Sequence, residues 1–147
     1  MIILTQDRRN TTNTIIGCGG SLLNHYYVLT PAHCVMYITN VTGWKVHGGV
    51  SKSNKLTAFG VQPSEVKGFV MHPQFGNVTA ENDLAIIKLK TPFYYTHVVQ
   101  PIKIYADDYF IDTTPYRNVA LFGFGAMAEV QIFKFYCLFI EYYTSSS

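Results

Sequence analysis

Charge is scarce in this chain of 147 residues: only 14% are Asp, Glu, Lys or Arg, and the formal net charge is +2. No run of Lys or Arg extends beyond Arg8-Arg9. The basic footprint that binds phosphate backbones or anionic membrane surfaces is therefore missing, and neither nucleic acid nor a lipid surface is an expected partner. Long apolar runs are lacking too. The most apolar stretch, Val130 to Ile140, is eleven residues broken by Lys134, too short to cross a bilayer. It reads instead as a strand without neighbours, and an unpaired β-former of low charge is an aggregation hazard.

Other absences narrow the chemistry. His25, His47, His72 and His97 stand singly, without the i,i+4 or paired spacing that metal ligation favours, so no metal and no cofactor are expected. Gly-x-Ser-x-Gly does not occur, and Ser21, Ser51, Ser53 and Ser64 lie in strand or loop composition without a sharp elbow turn. Cysteine is sparse and odd in number: Cys18, Cys34 and Cys137 allow at most one intrachain bridge. Nothing sets Cys137 beside a base, and apolar surroundings disfavour its thiolate. No repeat or low-complexity linker is visible. Met1 leads straight into a strand-like segment, so no signal peptide is read here.

What is present leans towards sheet. The chain is 48% hydrophobic and 15% aromatic, with Val, Ile, Tyr, Phe and Thr frequent, which excludes a disordered tail. Its length suits one domain, or a piece of one, with a real core. Residues 1–6 and 14–23 read as the arms of a hairpin around a polar turn at 7–13. Residues 26–29, 44–50, 59–61, 66–71 and 84–89 read as further strands, with one helical turn at 32–35 that presents His33. The spacing predicts an all-β, antiparallel six-stranded barrel. Gly17, Gly19 and Gly20 mark close backbone approach or positive φ. Residues 91–115, with Pro92, Pro101 and Pro115, read as a crossing connection, and 119–125 as the start of a second barrel.

Two polar residues stand out. Asp83 heads the apolar run Leu84-Ala85-Ile86-Ile87, where an unpaired charge is costly to bury, so it requires a cationic or N–H partner. His33 is one candidate partner; a strand-end cap for Asp83 and an ordinary half-buried histidine are the alternatives. Asn10-Thr11-Thr12, Asn40-Val41-Thr42 and Asn77-Val78-Thr79 are N-glycosylation sequons, meaningful only in the secretory pathway.

Three segments in order, Cys18-Gly19-Gly20-Ser21-Leu22, Leu29-Thr30-Pro31-Ala32-His33-Cys34 and Asn82-Asp83-Leu84-Ala85, resemble the trypsin-like (chymotrypsin-fold) serine protease family. Val70-Met71-His72-Pro73-Gln74-Phe75, Val99-Gln100-Pro101-Ile102 and Leu121-Phe122-Gly123-Phe124-Gly125 are further echoes. The resemblance covers residues 1–126, with the first barrel at 1–100 and the connection and start of the second at 101–126. Residues 127–147 are an unmatched apolar tail. It implies that His33 is the general base, Asp83 its orienting acid, and Cys18–Cys34 a disulfide. It also implies a secreted protein acting on protein or peptide substrates.

The family's nucleophile sits in Gly-Asp-Ser-Gly-Gly, a string this sequence does not contain. The catalytic serine and oxyanion hole are thus absent and the second barrel is largely missing, which predicts an incomplete serine endopeptidase, inactive alone. The alternative is a non-catalytic homologue serving as a secreted protein-binding module.

Overall fold

The structure, a computed structural model, describes residues 1–7, 14–52 and 55–104, together with a short strand pair further on. The strands are β1 (Ile2–Asp7), β2 (Thr14–Asn24), β3 (Tyr27–Thr30), β4 (Trp44–Gly48), β5 (Gln62–Met71) and β6 (Ala85–Leu89). They close into an antiparallel barrel in the order β1-β2-β3-β6-β5-β4. A single 3-10 turn, Ala32–Cys34, follows β3. The remaining pair is β7 (Val119–Ala120) with β8 (Glu141–Tyr142). The all-β fold with one six-stranded barrel is the architecture that the spacing predicts.

Alternation along each strand builds the interior. In β6, Ala85, Ile87 and Leu89 point inward while Ile86 and Lys88 face out, the two-residue period of a half-buried strand. Across the barrel they meet Leu4, Leu22, Val28, Val46 and Val66 in one core. After β6 the chain turns back over the barrel mouth. Ser64 donates to the Thr91 carbonyl at 2.8 Å, Phe93 takes the His25 carbonyl at 2.8 Å, and Ile102 takes that of Leu22 at 2.8 Å. These bonds satisfy a connection that would otherwise leave backbone groups unpaired. They also seat Phe93 in the core, against Gly48.

One strand expected from the sequence does not form. Phe59–Val61 is a turn, with Gly60 at φ +86° and the Val61 N–H bonded to the Ala58 carbonyl at 3.1 Å. Phe59 is fully exposed, so its β propensity finds no sheet to pack on. The next strand begins earlier than its apolar residues suggest, at Gln62, because β4 supplies a hydrogen-bonding partner for the polar stretch Gln62–Glu65. The polar turn expected at residues 7–13 lies almost entirely outside the described residues, as does most of the expected second-barrel start.

Gly20 marks where β2 and β3 cross closely. A Cβ there would lie 2.7 Å from Val28 Cγ1 and 2.9 Å from the Leu29 carbonyl oxygen. At Gly68 a Cβ would meet nothing within 4 Å. Gly20→Ala should therefore cost about 1–3 kcal/mol in urea unfolding through overpacking. Gly68→Ala should change stability by less than about 1 kcal/mol.

Candidate active site

The β3–β6 pairing sets the site. Its register places Thr30 opposite Ala85, so the residues just after β3 and just before β6 emerge at the same end of the barrel. Pro31, at φ −62° and ψ 144°, turns the chain out of β3 into the 3-10 turn. Cys34 and Val35 close that turn onto the carbonyls of Pro31 and Ala32 at 3.2 and 3.0 Å. His33 stands in its middle. Before β6, Asn82 adopts φ +53°, a left-handed conformation that asparagine tolerates better than most residues. Its side-chain amide donates to the Gln74 carbonyl at 3.1 Å.

Asp83 and His33 meet through two contacts. The His33 backbone N–H donates to Asp83 Oδ1 at 2.8 Å, and His33 Nδ1 lies 2.6 Å from Asp83 Oδ2. An acceptor at that distance requires Nδ1 to carry the proton, which leaves the imidazole's lone pair on Nε2. Both side chains are about one-quarter exposed. A cavity of about 340 Å³ between Met1, Gly20, Val99 and Pro101 includes neither residue.

Cys18 and Cys34 form a disulfide, closing a sixteen-residue separation and fastening the histidine turn to β2. Thr30 reinforces the junction by donating to the Gly19 carbonyl at 2.9 Å. Cys34 Sγ also lies 3.4 Å from His33 Nε2. Nothing in the sequence pattern signals that approach, because it depends on how the turn is seated on β2. The left-handed Asn82 has a similar origin, and its one clue in the sequence is an asparagine directly before the acid.

Three of the remaining histidines have structural surroundings. His47 is buried and meets Thr5 Oγ1 at 3.0 Å, His25 bonds the Phe93 carbonyl at 2.6 Å and stacks on Tyr95, and His72 Nδ1 accepts from the Gln74 N–H at 3.2 Å. Among the described residues, the sequons at Asn40 and Asn77 are exposed. Asn10 and Cys137 lie outside the described residues.

A family model described as Trypsin matches residues 5–130. The chain belongs to the trypsin family. It is 30% identical over 83 residues to transmembrane protease serine 11C of Mus musculus, an alignment covering 56% of this chain and 18% of that protein. The matched part of this trypsin-family chain thus spans under one-fifth of that relative's length. Among the described residues, no helix is long and apolar enough to cross a membrane.

Two measurements test this geometry. In Asp83→Asn the side chain offers one acceptor oxygen in place of two, so one His33 N–H loses its partner. Stability should fall by about 1–3 kcal/mol and the downfield Nδ1 proton resonance should vanish. Replacing Cys18 and Cys34 together by alanine should lower stability by about 3 kcal/mol, the value expected for a loop of this length.

Proposed function

We propose that this chain carries the general base and orienting acid of a serine-type endopeptidase, His33 and Asp83, and that it does not hydrolyse peptides by itself. The observation that supports this reading is the double hold of Asp83 on His33, through the backbone N–H and through Nδ1. A histidine held only for packing has no need of a carboxylate that fixes both its tautomer and its orientation.

In the proposed chemistry, His33 Nε2 takes the proton from a serine hydroxyl as the oxygen attacks the peptide carbonyl, then delivers it to the departing amine. Asp83 keeps Nδ1 protonated and stabilises the imidazolium without accepting the proton. The serine is not among these residues, since Gly-Asp-Ser-Gly-Gly does not occur in the chain. The family resemblance assigns the oxyanion donors and the primary specificity pocket to the part of the domain that carries that serine. The chain therefore supplies proton transfer without a nucleophile or an electrophilic site. Protein or peptide substrates, secretion and glycans at Asn10, Asn40 and Asn77 belong to the same reading; the exposure of Asn40 and Asn77 suits glycan attachment.

One observation favours a second reading, a non-catalytic binding module. Leu29, Ile86 and Val70 lie opposite one another across β3, β6 and β5, and Val70 and Ile86 are 72% and 42% exposed. Such an apolar row suits contact with another polypeptide. The rest of a protease domain would cover it equally well, and a binding module has no chemical need of the His33–Asp83 pair.

The test is acylation by a fluorophosphonate probe. This chain should remain unlabelled, because removing the serine of a triad lowers kcat by roughly 10⁶. Extended in frame by a second half bearing Gly-Asp-Ser-Gly-Gly, it should label at that serine, and His33→Ala should abolish the labelling. Stoichiometric labelling of the 147-residue chain, or His33-independent labelling of the extended one, would overturn the proposal.

A further inference from the structure

We infer that, once the Cys18–Cys34 disulfide is reduced, Cys18, Cys34 and His33 form a binding site for a zinc-class divalent cation. Their ligating atoms all lie within 4.8 Å of one another. None of the three residues is fully buried. In the disulfide form both sulfurs are spent on each other, and neither is the thiolate that binds metal.

One of the three separations is already close to what the ion needs, and the two sulfurs must move apart once their bond is broken. Zn–S and Zn–N bonds of about 2.3 and 2.0–2.1 Å at a tetrahedral angle put a ligating sulfur and nitrogen about 3.6 Å apart, and two sulfurs about 3.8 Å apart. Cys34 Sγ and His33 Nε2 are 3.4 Å apart. The Cα atoms of the cysteines are 6.0 Å apart, so rotating the side chains about their Cα–Cβ bonds separates the freed sulfurs without moving the strands.

The imidazole is also prepared. Asp83 Oδ2, 2.6 Å from Nδ1, fixes the proton there and leaves the Nε2 lone pair on the side of the sulfurs. A carboxylate behind a ligating histidine is the arrangement that orients the ring and raises its basicity in zinc sites. Two thiolates and one imidazole leave a fourth position for water. The histidine spacing gives no hint of this site, because one of its cysteines is the neighbour of His33 in the 3-10 turn and the other comes from β2.

The chemistry balances with a dithiol reductant. It supplies two electrons and two protons, the Cys18–Cys34 bond breaks to two thiols, and the reductant leaves as its own cyclic disulfide. The cation then displaces both thiol protons to solvent. This inference stands apart from the protease reading, since it requires no proton transfer to or from a substrate.

Cobalt(II) is the probe. The full chain carrying Cys137→Ser, so that no third thiol competes, is reduced with a dithiol, freed of reductant under argon and titrated with Co²⁺. One Co²⁺ per chain should bind, with a sulfur-to-cobalt charge-transfer band and the intense visible bands of a tetrahedral ion, both removed by added Zn²⁺. The oxidised chain should show neither. Asp83→Asn should weaken binding by about 10–100-fold. His33→Gln should lose the tetrahedral spectrum. Zn²⁺ should protect Cys18 and Cys34 from iodoacetamide in the reduced chain, read by mass spectrometry. The inference is overturned if the reduced, folded chain shows no charge-transfer band at stoichiometric Co²⁺, or if His33→Gln binds as tightly with the same spectrum. It is equally overturned if reduction abolishes the barrel's circular dichroism and Co²⁺ does not restore it.

Discussion

The pairing of β3 with β6 is the constraint on which the rest of the site depends. Thr30 lies opposite Ala85, and from that rung the two chain segments leave the sheet together, one towards His33 and the other back towards Asp83. A slip of one residue would reverse the inward and outward faces of β6, burying Ile86 and Lys88 in place of Ala85, Ile87 and Leu89. The hydrophobic core therefore enforces the register, and the register brings together two residues fifty positions apart. Burial drives the fold, and the geometry of the polar pair follows from it.

Local devices then refine what the register sets coarsely. Pro31 ends β3 and starts the 3-10 turn, the disulfide ties that turn to β2, and Thr30 bonds across to Gly19. On the other side, the left-handed Asn82 reverses the chain just before Asp83 and anchors to Gln74. Each device is worth only a few kcal/mol at most, yet together they hold a carboxylate against two N–H donors of one histidine. A partly buried acid requires that compensation, because desolvating a lone carboxylate costs more than any single contact returns.

The outer surface is shaped by the same alternation. Wherever an inward residue is fixed by the core, its neighbour must face out, and in β5 and β6 two of those neighbours are Val70 and Ile86. Polar side chains at these positions would suit a barrel standing alone in water. The row is apolar instead, with Val70 and Ile86 exposed beside Leu29.

The sequence by itself determined the fold class and the positions of the barrel strands to within a few residues, and it marked His33 and Asp83 as candidates. These were legible because they rest on local signals: two-residue periodicity in Ala85–Leu89, a proline before a short turn, and a charge at the head of an apolar run. The disulfide and the family were readable from motif order. Tertiary structure alone decided that Phe59–Val61 is a turn, that Gln62–Glu65 joins a strand, that the chain after β6 seats Phe93 in the core, and that a disulfide sulfur comes within 3.4 Å of His33 Nε2. Each of these depends on which strand supplies a partner and on the angle at which two distant segments meet. Packing across the whole barrel sets those quantities, and no window of neighbouring residues contains them.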